Sequence, residues 1–457
     1  MFNKETYRAR RAKLKETVGH GLLLFLGNDE SGANYADNTY PFRQDSTFLY
    51  FFGLDTPGLN AVIDIDNDRE TVFGDEPDID SIVWTGAQAS LVEKCESSGI
   101  TLLRPAGDIG GVLGQALRSK QAIHYLPSYR AEHQLKLLAW LGVRVGSESP
   151  SLPFILGVVN QRNYKSEEEI EEIEKACMVT ADMHLTAMRT VRPGICESEV
   201  AAAVAQVAQA AGYSLSFPTI ATINGQTLHN HYHGNMIKEG DMLLLDAGAE
   251  TGMGYAGDMS STIPAGQTFT PRQREIYDIA VATHEAAVAA LRPGITYESV
   301  YDLASCTMME GLKSLGFVRG DMAEAVRQGA HALFMPHGLG HMMGLDVHDM
   351  ENLGEVYVGH DGRPKSTQFG RKSLRLARKL EPGFVLTVEP GIYFIPELID
   401  LWRSKKLFDG FINYEKVVAY KDFSGIRNEE DYLITPTGAR LLGKKIPIRA
   451  GEVEAMR

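Results

Sequence analysis

The stretch MPHGLGHMMGLDVHD, residues 335–349, sets three imidazoles, His337, His341 and His348, among glycines and methionines. Acids elsewhere in the chain stand where apolar runs begin or end. Asp246 closes MLLLD (242–246), and Asp258 lies in YAGDMSST (255–262) after a Gly-rich turn. Glu389 follows the apolar run of GFVLTVEPGIY (383–393), and Glu429 and Glu430 head the run of GIRNEEDYLIT (425–435). A carboxylate ending a buried strand is costly unless it is paired or bound to a metal. Two facing each other on a hairpin repel, and a divalent cation removes the conflict. For either acid alone, a capped or solvated carboxylate is the plainer reading. Strand alternation puts Arg427, Glu429 and Asp431 on one side and Asn428 and Glu430 on the other, so only one of the two glutamates enters a given site.

Oxygen-rich ligands with one imidazole suit Mn2+, Co2+, Fe2+ or Zn2+. The spacing of His337 and His341 invites comparison with HExxH, but Gly338 stands in place of the glutamate, and Gly338 with Gly340 disfavours a helix. Taken singly, each histidine reads as a satisfied core residue. In LHNHYH (228–233), His229, His231 and His233 alternate and would share a face if the segment were a strand. A polar loop is the plainer reading for His231 and His233. The basic run GRKSLRLARKL (370–380) reads as a solvated helix face, or as the source of an arginine whose guanidinium fork grips a carboxylate.

The elements that must position these groups are legible in outline. At 457 residues the chain exceeds one ordinary core, so two domains are expected. The first third alternates short strands and helices, with GLLLFLG (21–27), TFLYFFGL (47–54) and NAVIDID (60–66) as strands and SLVEKCESSG (90–99) as a helix. An α/β domain over residues 1–152 and a catalytic domain over 153–457 follow, with GSESPSLP (146–153) as the junction. Beyond it, residues 165–191 form a long helix with Ser166 as N-cap and acidic residues in the first turn. That helix ends in VRPGICESEV (191–200), and LRPGITYESV (291–300) closes another helical run. The two segments share Arg-Pro-Gly-Ile and a final valine. An internal duplication is the favoured reading over chance recurrence of a helix–turn–helix. A site between the halves would draw ligands from both.

Apolar residues make up 44% of the chain and charged residues 23%, as in globular proteins. A formal net charge of −14 argues against nucleic acid as a partner, since no basic surplus exists to displace phosphate counterions. Cys95, Cys177, Cys196 and Cys306 are far apart and form no CxxC pair, which suggests a reducing compartment. The charged, helical N-terminal segment lacks a signal-like apolar core, and no spanning stretch follows, so a cytoplasmic enzyme without membrane association is expected.

In order along the chain, these motifs resemble the proline-specific metallopeptidases of the pita-bread fold, X-Pro dipeptidase (prolidase) and aminopeptidase P. The family pattern is two aspartates on a hairpin, a histidine in HGxGHxxGxxVHD, a glutamate in TVEPGxY and a glutamate in RxEED. The sequence carries Asp246, Asp258, His341, Glu389 and Glu429 at those places, and YPFRQDSTFLYFFGLDTPG (40–58) is similar to the accompanying N-terminal domain. The resemblance implies an α+β chain: an α/β domain followed by a pseudo-twofold catalytic domain. It implies two divalent cations, Mn2+ first among them, held by these five residues, and a homodimer. It also places His229 and His348 as catalytic, substrate-facing imidazoles, Arg375 and Arg427 toward the substrate, and His337 and Tyr393 beside the metals. Glu389 is expected to take the attacking water's proton. The interval from Asp246 to Asp258 is one residue longer than in the family, and Asn428 replaces a usual apolar residue. The run SLRLARKLEPGFVLTVEPGIYFI (373–395) and the long segment 395–425 look prolidase-like, and Arg375 stands where that group clamps the substrate carboxylate. Cleavage of X-Pro dipeptides is therefore the leading expectation. Aminopeptidase P activity on longer proline-containing peptides is the alternative, and a ligand-binding scaffold or a metal-free creatinase-like enzyme is less consistent with a full ligand set.

Overall fold

The computed structural model describes residues 1–457, which divide into two compact units: residues 1–162 with 350–357, and residues 163–349 with 358–457. The first is α+β. Helix α1 (Lys4–Val18) is capped by Asn3 and followed by strand β1 (Leu22–Leu26), helix α2 (Ser46–Phe52) and strands β2 (Asn60–Asp64), β3 (Arg69–Phe73) and β4 (Leu102–Arg104). Helix α3 (Ile109–Arg118), strand β5 (Ile123–His124) and helix α4 (Ala131–Leu141) follow, and the unit also holds helices at Ile79–Thr85, Leu91–Ser97 and Leu152–Arg162. The strands form one sheet in the order β4-β3-β2-β1-β5. Leu22, Leu24, Val62 and Phe73 pack on Ile109, Leu113 and Leu137, so the apolar faces of α3 and α4 cover the sheet.

Residues 47–54 depart from the strand expectation. They form α2, capped by Asp45, whose carboxylate accepts the Phe48 N–H, and stopped by Gly53 in the left-handed conformation. A short, wholly buried apolar run carries no usable period, and the cap residues at its two ends decide the matter.

The second unit begins with a helix pair, α5 (Glu167–Thr190) and α6 (Glu197–Ala210), then strands β6 (Ile220–Thr222), β7 (Met242–Ala247) and β8 (Met259–Pro264). A second pair, α7 (Pro271–Ala290) and α8 (Tyr297–Ser314), is followed by β9 (Val385–Val388), β10 (Gly391–Tyr393), β11 (Gly425–Arg427), β12 (Glu430–Ile434) and β13 (Ala439–Leu441). The sheets run β8-β7-β6, β9-β12-β13 and β10-β11, with every pair antiparallel.

The duplication is written in the hydrogen bonds. Gly194 donates to the Ile237 carbonyl and Ile237 donates back to Ile195; Gly294 donates to Leu380 and Leu380 donates back to Ile295. Both glycines have positive φ, +89° and +85°, so each helix pair is joined by the same turn. Counted from these anchors, Asp246 and Glu389 occupy equivalent places in the two halves. An isolated antiparallel bridge between Ser260 and Glu429 joins the halves directly.

The run 370–380 is not a helix: beyond a short 3-10 turn at Arg371–Ser373 it is irregular, with one isolated bridge from Lys379 to Thr296. No helix of the chain is long and apolar enough to cross a membrane.

Candidate metal centre

Asp246, Asp258, His341, Glu389 and Glu429 all line one cavity of about 240 Å3 in the second unit. Asp246 comes from β7, Asp258 from the residue before β8, Glu389 from the residue after β9, and Glu429 from the link between β11 and β12. His341 lies on the loop beside β9, where its N–H donates to Thr387 Oγ1 and its carbonyl accepts from the Thr387 N–H. Ligand atoms of Asp258, His341 and Glu429 lie within 4.8 Å of one another, and all three residues are buried. The His341 Nδ1 donates to the Met342 carbonyl at 3.0 Å, which fixes the tautomer and leaves Nε2 as a lone pair 3.4 Å from Asp258 Oδ2.

The remaining two acids are oriented differently. Asp246 Oδ2 accepts from Arg427 Nη2 at 2.5 Å, and Glu389 Oε2 lies 4.0 Å from His337 Nδ1. Arg427 spends its other donors on Ser260 Oγ at 2.9 Å and Tyr393 Oη at 3.0 Å, and Ser260 Oγ in turn donates to Glu429 Oε2 at 2.7 Å. One buried guanidinium therefore links acids from both halves. His337 closes the network: Nδ1 donates to the Gly338 carbonyl at 2.7 Å, so Nε2 accepts from the Tyr393 hydroxyl at 3.0 Å. Burial, then the charge of Arg427, pushes His337 down to about 3, which keeps it neutral.

The carboxyls show the strain of their crowding. Burial, then Asp246 and Asp431, pushes Asp258 well above the ordinary carboxylate range. Glu429 is raised by burial and by Asp258 and Glu389, and Glu389 is raised by burial. Asp258 Oδ1 is buried without a hydrogen-bond partner. An orphaned carboxylate oxygen, an imidazole lone pair and mutually repelling acids are the donor set a divalent cation fits. The clustered ligand atoms are those of one triad, and Asp246 and Glu389 stand on the same cavity wall beside it.

His229, His231, His348, Arg375, Phe217, Pro218, Leu228 and Val347 also line the cavity. The His348 ring lies 4.1 Å from that of His341, centroid to centroid. Burial, then Arg427, lowers His229. His233 turns away to the Thr219 carbonyl at 3.0 Å, and residues 228–233 form no strand. Glu430 faces opposite to Glu429 and accepts from Tyr432 Oη at 2.6 Å, as alternation requires.

Sequence reasoning passed over Ser260 and did not assign Asp431 a task. Asp431 Oδ2 accepts the Asp258 N–H at 3.0 Å and the Cys177 thiol at 3.1 Å, and burial pushes its carboxyl up to about 7. Period two from Asp258 leads to Ser260 and Thr262, and Thr262 Oγ1 bonds the Arg427 backbone, so the signal was present on β8.

Comparison with known proteins agrees with this geometry. The model of metallopeptidase family M24 matches residues 171–436, and that of the aminopeptidase P N-terminal domain matches residues 7–124. The chain is similar to the Xaa-Pro aminopeptidase of Escherichia coli (strain K12), 31% identical with 100% of this chain and 98% of the relative covered. It is also similar to the Xaa-Pro dipeptidase of Homo sapiens, 28% identical with 99% and 92% covered. The solved structure of E. coli aminopeptidase P with the inhibitor Pro-Leu superposes with a TM-score of 0.81 at 30% identity, covering 100% of this chain and 98% of that one. Both activities weighed from residues 373–395 and 395–425 are represented among these relatives, and over the whole chain the aminopeptidase is the more similar of the two named.

Proposed function

The chain belongs to metallopeptidase family M24, and from that premise we propose that it hydrolyses the Xaa-Pro bond at the N-terminus of peptides, releasing the residue that precedes proline. The observation that carries this reading is the convergence of Asp258, His341 and Glu429 in a cavity that also holds Asp246, Glu389, His229 and His348. We assign the four acids and one imidazole to two divalent cations, with Mn2+ first in line. When bound, such ions lower the pKa of a water toward neutrality and polarise the scissile carbonyl. Glu389 takes the nucleophile's proton, as a carboxylate placed beside the metal-bound water can. His348 and His229 donate to the developing oxyanion. Arg427 fixes Asp246 and, through Ser260, Glu429.

Proline explains the need for a dedicated enzyme. Its bond has no N–H, so a peptidase that grips the scissile amide loses a contact there. Phe217, Pro218, Leu228 and Val347 offer an apolar wall for the ring. One observation favours a second reading, cleavage of dipeptides: Arg375 lines the same cavity and is suited to a C-terminal carboxylate.

A paired assay separates the two. With Mn2+ supplied, a Gly-Pro-Ala-type tripeptide is expected to be cut with kcat/KM about tenfold or more above that for Gly-Pro. The reverse ratio transfers the chain to the dipeptidases, and cleavage of neither with Mn2+, Co2+ or Zn2+ rejects the function. Metal analysis and light scattering of the purified protein test the two ions and the homodimer that the family resemblance implies.

A further inference from the structure

A buried ion pair lies beneath the loop that carries His341 and His348. Lys165 Nζ and Asp349 Oδ2 are 2.8 Å apart, and each side chain is only 1% exposed. Lys165 sits just before α5, tied down by its own N–H on the Gly383 carbonyl at 2.9 Å. Asp349 directly follows His348. Its N–H donates to the Met342 carbonyl at 2.9 Å, and its Oδ1 accepts the Asp346 N–H at 3.4 Å. Asp349 thus folds residues 342–349 back on themselves, and this return lays the His348 ring against that of His341. Gly344 is shaped to the pair: a Cβ there would stand 2.8 Å from Asp349 Oδ2 and 2.9 Å from Lys165 Cε.

A fully buried ion pair is a poor device for stability, because desolvation offsets most of its attraction and apolar residues of the same volume do as well. Its use is to fix one arrangement among several. We propose that Lys165 and Asp349 are positioning residues, whose ion pair sets the register of the 342–349 loop and so aims His348 at the substrate. The inference rests on the assignment of His348 to the substrate carbonyl given above. No titration is involved, and neither residue faces the cavity; they act through the loop alone.

The test uses the full chain with Mn2+. Removing Asp349 alone strands the Lys165 charge, so the informative variant is the double exchange Lys165→Met with Asp349→Leu, which removes both charges together. It is expected to fold, to bind Mn2+ by calorimetry as the unaltered chain does, and to cleave an Xaa-Pro tripeptide with kcat reduced roughly ten- to a hundredfold and KM within about twofold. A kcat within about twofold of the unaltered chain rejects the proposal. So does a loss that excess Mn2+ restores, which would make the pair a support of the metal site only, and so does failure to fold, which would make it a support of the fold. His348→Ala is run beside it. Full activity in that variant removes the role of His348 itself; a loss there, with none in the double variant, removes only the role of the ion pair.

Discussion

Glu389 and Arg427 show how much rides on single groups in this cavity. Arg427 is buried and held by Asp246, Ser260 and Tyr393 from elsewhere in the sequence, while Glu389 is half-buried, with His337 Nδ1 4.0 Å from its Oε2. Replacing Glu389 with glutamine keeps size and a ligating oxygen but removes the proton acceptor. The expected outcome is a fall in kcat of about a thousandfold, within the range general-base catalysis supplies, with the fold intact. Because burial raises the Glu389 pKa, its charge costs stability in the metal-free protein. Metal-free Glu389→Gln should therefore melt at or above the unaltered chain at pH 8, and near-normal turnover in that variant would reject the assigned base. The four acids and one imidazole were legible because each sits in a distinctive motif. For Ser260 only its face was legible, by period two from Asp258; its task appears only when Arg427 arrives from residues distant in sequence.

At the scale of elements, the site depends on how closely backbones approach. Gly340 lies against β9, and a Cβ there would sit 2.1 Å from the Thr387 carbonyl oxygen and 2.6 Å from Tyr297 Oη. Backbone cannot yield as a side-chain tip can, so Gly340→Ala should push the His341 loop off β9. The cost should be about 1–3 kcal/mol of stability, with Mn2+ affinity falling alongside. Gly252 lies in the turn between the two hairpin acids, and a Cβ added there would have nothing within 4 Å. Gly252→Ala should leave melting temperature and Mn2+ affinity unchanged. Equal effects at the two positions, read by calorimetry, would contradict the close-approach argument. Sequence pattern placed β7, β9 and the long helices because apolar period and caps are local. It failed at α2, where the run is buried all round, and at 370–380, where the charges of Arg371 meet Glu298 and Asp302 instead of water. Which acids meet is a matter of register, and period alone does not fix the register between two halves of a duplication.

For the molecule as a whole, the buried carboxyls and imidazoles pull stability in opposite directions with pH. Asp258, Glu389 and Glu429 are raised, and Asp431 is raised to about 7. In the metal-free protein the folded state holds extra protons on these groups. That stability is present in full below the ordinary carboxylate values near 4 and is lost as pH rises through the folded values, about 7 for Asp431. His331 and His337, lowered to about 3, and His184 and His284, lowered to about 4, do the reverse: their contribution is present above about 6.5 and is lost as pH falls. The two sets blur each other in a single melting curve. A difference between metal-loaded and metal-free protein separates them, because His184, His284 and His331 lie outside the cavity and contribute equally to both forms, while the cation must displace the protons of the carboxyls. The rise in melting temperature on adding saturating Mn2+ should therefore be small at pH 5 and grow steadily to pH 8. A shift that is constant or shrinks over that range would mean that the crowded carboxyls are not the groups that take up the metal.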